Sequence, residues 1–175
     1  MRPAIFLDKD GVLVNDDGFP QVIPRDTVLL DNTVAGLRAL QGAGYALVIV
    51  SNQGWIATGK MTIPEADDIF RSVREQYAAN GVTIDAHYYC PHGKREQCAC
   101  RKPNTGMLER AITEHDLRKD GSFMVGDMPT DIMLARRFDL GAVLVRKPGA
   151  QYAGPTPDYD VPSVNAFARM LLGRI

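Results

Sequence analysis

Short apolar runs recur at residues 4–7, 45–50, 86–89, 123–125 and 142–145, separated by stretches in which apolar residues return every three or four positions. Runs of that length suit buried strands, and the 3.6-residue spacing suits helices that cover them. Strand and helix alternate throughout. Parallel neighbours need helical crossovers, so the rhythm predicts a three-layer, Rossmann-like α/β sandwich around a central parallel sheet of five strands.

Helix boundaries are also written locally. Thr33 opens a helix to about Ala43, with Gly44 as its stop, and Thr62-Ile63-Pro64-Glu65 reads as a capping box for a longer helix ending before Gly81. Further helices are expected from Gly106-Met107 to about His115, after Pro129, and over residues 164–172. Residues 148–162, rich in proline, glycine and aspartate, read as a loop without chemistry of their own.

Open sheets of this kind bind ligands beyond the carboxyl ends of their strands, and the polar signatures stand there: Asp8-Lys9-Asp10-Gly11, Ser51-Asn52-Gln53 and Gly126-Asp127. Arg101-Lys102 adds a fourth region. A carboxylate attacks phosphorus only if its repulsion from the phosphate is neutralised; two unit charges 4 Å apart still repel by about 4 kcal/mol at an effective dielectric near 20. Asp8, Asp127 and the backbone carbonyl of Asp10 form an oxygen-rich half-shell suited to Mg²⁺, and Lys102 adds a second positive charge. Ser51 and the amides after it would hold phosphoryl oxygens, and Asp131 would orient metal-bound water. Asp10 would protonate the leaving alkoxide and later draw a proton from the attacking water.

Cys90, His92, Cys98 and Cys100 offer three thiolates and an imidazole, a closed tetrahedral set for a structural Zn²⁺. All three cysteines of the chain fall within residues 90–100, which suits a metal loop in a reducing, cytoplasmic setting better than a disulfide framework. Composition narrows the rest. At 175 residues and 45% hydrophobic content the chain fits a single domain over 1–175. Lys+Arg 20 against Asp+Glu 21 gives no whole-chain footprint for nucleic acid, and no apolar segment reaches transmembrane length. A monomer acting on a small molecule is the default expectation. No segment is long enough for an inserted cap domain, so the loops after the first strand and around the cysteines should roof the pocket.

Asp8-Lys9-Asp10-Gly11, Ser51-Asn52, Lys102-Pro103 and Gly126-Asp127-x-x-x-Asp131 resemble the four ordered motifs of the haloacid-dehalogenase-like phosphatases. That resemblance implies Asp8 as nucleophile, Asp10 as general acid/base, Ser51 and Lys102 as phosphoryl stabilisers, and Mg²⁺ held by Asp8, Asp10 and Asp127. The Cys-Pro-His and Cys-x-Cys-Arg-Lys-Pro segments resemble two sister groups, the heptose bisphosphate and the histidinol-phosphate phosphatases. Asp16-Asp17-Gly18-Phe19, the run from Ser51 to Lys60, and Arg101 to Met107 are most similar to the heptose group. The five-residue spacer from His92 to Cys98 resembles the histidinol-phosphate group, and Met128 stands where both often carry a basic residue.

The heptose resemblance implies a sugar-phosphate substrate of the ADP- or GDP-heptose route to bacterial surface polysaccharide. Its contacts would be Asp16, Asp17, Gly18, Phe19, Ser51, Asn52, Gln53, Gly54, Arg101 and Lys102. Arg101 would receive the non-reacting phosphate. A phospho-aspartate signalling receiver is the competing reading from another class, and it would lack the second aspartate of the Asp-x-Asp pair.

Overall fold

The computed structural model describes residues 1–16, 28–146 and 149–173. Its elements run β1 (Arg2–Leu7), α1 (Val34–Gly42), β2 (Ala46–Asn52), α2 (Ile63–Ala79), β3 (Ala86–Cys90), α3 (Gly106–Glu114), β4 (Leu117–Gly126), α4 (Pro129–Arg137), β5 (Gly141–Val145), β6 (Tyr159–Val161) and α5 (Val164–Leu172). The sheet is wholly parallel, in the order β3-β2-β1-β4-β5-β6.

Strand alternation divides the core into two layers. Ile5 and Leu7 of β1 point to a cluster with Leu37 and Leu40 of α1, Phe70, Val73 and Tyr77 of α2, and Phe167 of α5. Ala4 and Phe6 point the other way, onto Met107 and Leu108 of α3 and Ile132 and Leu134 of α4. Residues 4–7 are fully buried because both faces of β1 are covered, which is why the run reads as continuously apolar. The Ile5, Phe6 and Leu7 side chains each contribute about 1.5–3 kcal/mol on burial.

Two expectations need correction. The sheet has six strands rather than five, because Tyr159–Val161, inside the segment read as a loop, pairs with β5 from Val143↔Tyr159 to Val145↔Val161. Three residues among prolines and aspartates are too few to show a period. β4 also begins at Leu117, well before residue 123, and its register against β1 slips between Pro3 and Ile5. Gly121, at φ 73°, takes the backbone through that irregularity, and the Ser122 hydroxyl accepts from Ala4 N–H at 2.8 Å where the ladder is interrupted.

The helix caps follow the sequence signals. Glu65 N–H donates to the Thr62 hydroxyl at 3.3 Å and Thr62 N–H to Glu65 Oε2 at 2.7 Å, the reciprocal pair of a capping box. Further along α2, the buried Tyr77 hydroxyl donates to the Leu13 carbonyl at 2.9 Å and lies 2.8 Å from Thr33 Oγ1. This ties the turn after β1 to two helices. Leu13 O also receives Leu30 N–H at 3.0 Å, so losing the phenol leaves no orphaned carbonyl. Tyr77→Phe should therefore cost about 1 kcal/mol, measured as a lowered denaturant midpoint with an unchanged slope.

Candidate active site

β1 and β4 are hydrogen-bonded neighbours, so their carboxyl ends deliver Asp8 and Asp127 side by side, and Asp8 N–H is fixed to Val125 O at 2.9 Å. Immediately after Asp10 the chain doubles back: Gly11 N–H reaches Val14 O at 3.0 Å, and Leu13 and Val14 N–H both reach Lys9 O. Gly11 sits at φ +76°, and a Cβ there would lie 2.5 Å from Asp127 Oδ2 and 3.1 Å from Asp16 Oδ2. Only glycine permits both the turn and the close approach of the acids. Gly126 has a similar role at the other strand, since a Cβ would lie 2.2 Å from the Asp131 side chain as α4 begins.

Lys102 enters from the loop before α3 and is 4% exposed. Its ammonium lies 2.8 Å from Asp8 Oδ1 and 2.7 Å from Asp131 Oδ1, and donates to Val50 O at 3.0 Å. Burial works against the charged ammonium, but Asp131 and Asp8 outweigh it and hold its pKa above the ordinary lysine range. Asn52 secures the backbone beneath: Nδ2 donates to Lys102 O at 3.1 Å, and Lys102 N–H donates to Asn52 Oδ1 at 2.9 Å. Asp131, expected to orient water, is fully buried and engaged by Lys102 and by Met128 N–H at 3.1 Å.

The carboxylates of Asp8, Asp127 and Asp131 converge closely enough to share one cation. Burial, followed by the charges of Asp8, Asp131 and Asp16, pushes the Asp127 carboxyl up to about 8, and Asp127 Oδ1 is buried with no hydrogen-bond partner. An orphaned carboxylate oxygen among like charges fits a hard divalent ion such as Mg²⁺. Asp10 turns its carboxylate elsewhere, pairing with the buried Lys9 ammonium through Oδ1 and with Gln53 Nε2 at 3.2 Å through Oδ2. Any contribution of Asp10 to the ion would come from its backbone carbonyl, as its sequence position suggested.

A cleft of about 520 Å³ opens over these strand ends, lined by Asp8, Asp10, Asp16, Ser51, Asn52 and Lys102, with Arg101, Lys94 and Met128 among its remaining residues. Asp17, Gly18 and Phe19 lie outside the described residues. Lys94 and Glu96 were not anticipated, because exposed charges on a loop carry no periodic signal. Gly54 leaves room for Arg101, whose Nη1 would lie 3.3 Å from a Cβ there and donates to His92 O at 2.7 Å. Trp55 packs against Met61, Ala66 and Ile69.

Cys90, His92, Cys98 and Cys100 do meet. Cys100 Sγ lies 3.1 Å from Cys90 Sγ and 3.2 Å from His92 Nδ1, and Cys98 Sγ lies 3.7 Å from Cys90 Sγ. Ligands about 2.0–2.3 Å from a tetrahedral Zn²⁺ stand about 3.3–3.8 Å apart, so the cluster fits that ion. Burial pushes the Cys90 and Cys100 thiols up, a cost that a bound metal would offset.

The family model described as HAD-hydrolase-like matches residues 99–165. The D-glycero-beta-D-manno-heptose-1,7-bisphosphate 7-phosphatase of Pasteurella multocida (strain Pm70) is 35% identical, over 99% of this chain and 98% of its own. The chain belongs to the heptose bisphosphate phosphatase family of HAD-like hydrolases. The Escherichia coli K12 phosphatase of the same name is 37% identical over 82% of this chain and 79% of its own. Among solved structures, the D,D-heptose 1,7-bisphosphate phosphatase of B. bronchiseptica, complexed with magnesium and phosphate, superposes with a TM-score of 0.84 at 29% identity, covering 100% of both chains. This kinship to heptose bisphosphate phosphatases makes the acid cluster the place to perturb. Gly11→Ala should destabilise the protein by about 1 kcal/mol or more and weaken Mg²⁺ binding, checked by thermal melting and by calorimetric titration with the metal.

Proposed function

We propose that this phosphatase hydrolyses the 7-phosphate of D-glycero-D-manno-heptose 1,7-bisphosphate through a phosphoryl-Asp8 intermediate. The observation that carries the reading is the convergence of Asp8, Asp127 and Lys102 at adjacent strand ends, beside Ser51, in a chain similar over its whole length to enzymes named for that reaction. Asp8 attacks phosphorus while Lys102, 2.8 Å away, orients its carboxylate. Asp10, in its neutral form, gives its proton to the departing O7; as a carboxylate it then takes one from the water that cleaves the aspartyl-phosphate. Ser51 donates to a phosphoryl oxygen. Mg²⁺ held by Asp8, Asp127 and the Asp10 carbonyl would offset the negative charge of phosphate and carboxylates.

Arg101 and Lys94 give the cleft cations for the second phosphate, and Asp16 an acceptor for sugar hydroxyls. The resemblance also implied Asp17, Gly18, Phe19, Gln53 and Gly54 as substrate contacts; of these the Gln53 side chain is turned onto Asp10 and Ser51 instead. Histidinol phosphate, with one phosphate, would leave Arg101 and Lys94 without an anion. The relatives' names favour the β anomer. A phospho-aspartate receiver is disfavoured because Asp10 beside Asp8 shortens the life of the phospho-enzyme. The reading extends to a single-domain cytoplasmic monomer serving ADP- or GDP-heptose synthesis; no helix among the described residues is long and apolar enough to cross a membrane.

Phosphate release with Mg²⁺ should be fastest from the β-bisphosphate, slower from the α anomer and slowest from histidinol phosphate, with Asp8→Asn as an inactive blank. Preference for histidinol phosphate would overturn the assignment. Arg101→Ala should raise KM for the bisphosphate roughly tenfold with kcat little changed, in line with loss of a charge-assisted hydrogen bond. Zn²⁺ in the Cys90–His92–Cys98–Cys100 cluster would fix the root of Arg101 and Lys102. Stripping it should lower both the melting temperature and turnover; unchanged turnover in protein verified to be free of zinc would refute that role.

A further inference from the structure

Gln53 follows the carboxyl end of β2 and is 4% exposed. Its Nε2 donates to Asp10 Oδ2 at 3.2 Å and to Ser51 Oγ at 3.0 Å, and its backbone N–H donates to Cys90 O at 2.8 Å. An ionised carboxylate only accepts, so the amide nitrogen rather than the oxygen must face Asp10. Both amide protons are then committed, one to each partner. Because Ser51 Oγ accepts from Gln53, its own proton is left to point away, and Ser51 lines the cleft. On the far oxygen, Asp10 Oδ1 pairs with Lys9, itself 1% exposed with its ammonium 5.7 Å from the Phe70 ring centroid. Two buried groups therefore hold Asp10 from both ends of its carboxylate.

We propose that Gln53 is a positioning residue: its amide fixes Asp10 relative to Ser51, so that the acid for the leaving oxygen and the donor to the phosphoryl group address one phosphate together. This assigns the amide a role on the protein rather than on the sugar, and it rests on the acid/base role given to Asp10 above. Its backbone bond to Cys90 roots the clamp in the strand that also presents the first member of the thiol cluster.

A side chain that only packs would, when replaced, affect all substrates alike. A side chain that aims Asp10 affects most the reaction that needs a proton at the leaving oxygen. A sugar alkoxide needs one; p-nitrophenolate departs as a stable anion and does not. The test compares kcat/KM, which reports the first phosphoryl transfer, for heptose 1,7-bisphosphate and p-nitrophenyl phosphate in the unaltered protein, Asp10→Asn and Gln53→Met. Gln53→Met removes both donors at nearly constant volume; Gln53→Asn, which shortens the reach, serves the same comparison if the methionine variant does not fold.

The expected result is a loss of roughly 10- to 100-fold on the sugar phosphate for Gln53→Met, the scale of a hydrogen bond to a charged group, with a much smaller loss on the aryl phosphate. Asp10→Asn should show the same selectivity more strongly. Equal losses on both substrates, or none, in the Gln53 variants while Asp10→Asn remains selective would overturn the positioning role and leave the proposed function standing. An Asp10→Asn variant without selectivity would overturn the acid/base reading and this inference with it.

Discussion

The site depends on one buried ammonium. Lys102 places a positive charge between Asp8 and Asp131, where all three side chains are buried. Removing one partner from such an arrangement leaves an uncompensated charge and typically costs about 3–5 kcal/mol, so the three groups hold one another in place. Everything around them serves that geometry. Asn52 pins the Lys102 backbone by two reciprocal bonds, Gly126 lets Asp131 come close under the strand end, and Gly11 lets the first loop fold back against Asp127. One cation remains insufficient for the carboxylates of Asp8, Asp127 and Asp131, and the orphaned Asp127 oxygen marks where a second belongs.

Much of this was legible in the chain. The apolar runs at 4–7 and 45–50 specify central strands because both faces are buried, and Thr62 to Glu65 announces its helix through a reciprocal capping box between near neighbours. The thiol cluster was legible for a different reason: four ligands crowded into eleven positions, 90–100, leave few alternatives. Tyr159–Val161 was not legible, since a three-residue strand carries no period and is held by its pairing with β5. Nor was the slip in β4, where the interrupted ladder is satisfied by a serine hydroxyl.

At the site, the sequence pointed to Asp8, Asp10, Ser51, Lys102 and Asp127, which the fold brings together around one cleft, but not to the contacts that hold them there. Lys9, between two aspartates, has no local pattern that marks its role, yet it is buried against Asp10 and Phe70. Gln53 and Asn52 read as substrate contacts by kinship; the Gln53 amide faces Asp10 and Ser51, and the Asn52 amide bonds the Lys102 backbone while Asn52 still lines the cleft. Asp131 reads as an outer metal partner and is found bonded to Lys102. Such roles depend on where loops from β1, β2 and the stretch before α3 meet, and no local spacing encodes that meeting. The thiol loop joins the same network, because Arg101 is fastened to His92 O and Gln53 to Cys90 O.

The central claim is that Asp8 carries the phosphoryl group and Asp10 removes it. The most direct measurement is to give Asp10→Asn protein p-nitrophenyl phosphate with Mg²⁺, quench, reduce with borohydride and map the modified residue by mass spectrometry. The account predicts accumulation of the acyl-phosphate at position 8, seen as aspartate reduced to homoserine there. Absence of any trapped residue, or trapping at another carboxylate, would contradict it.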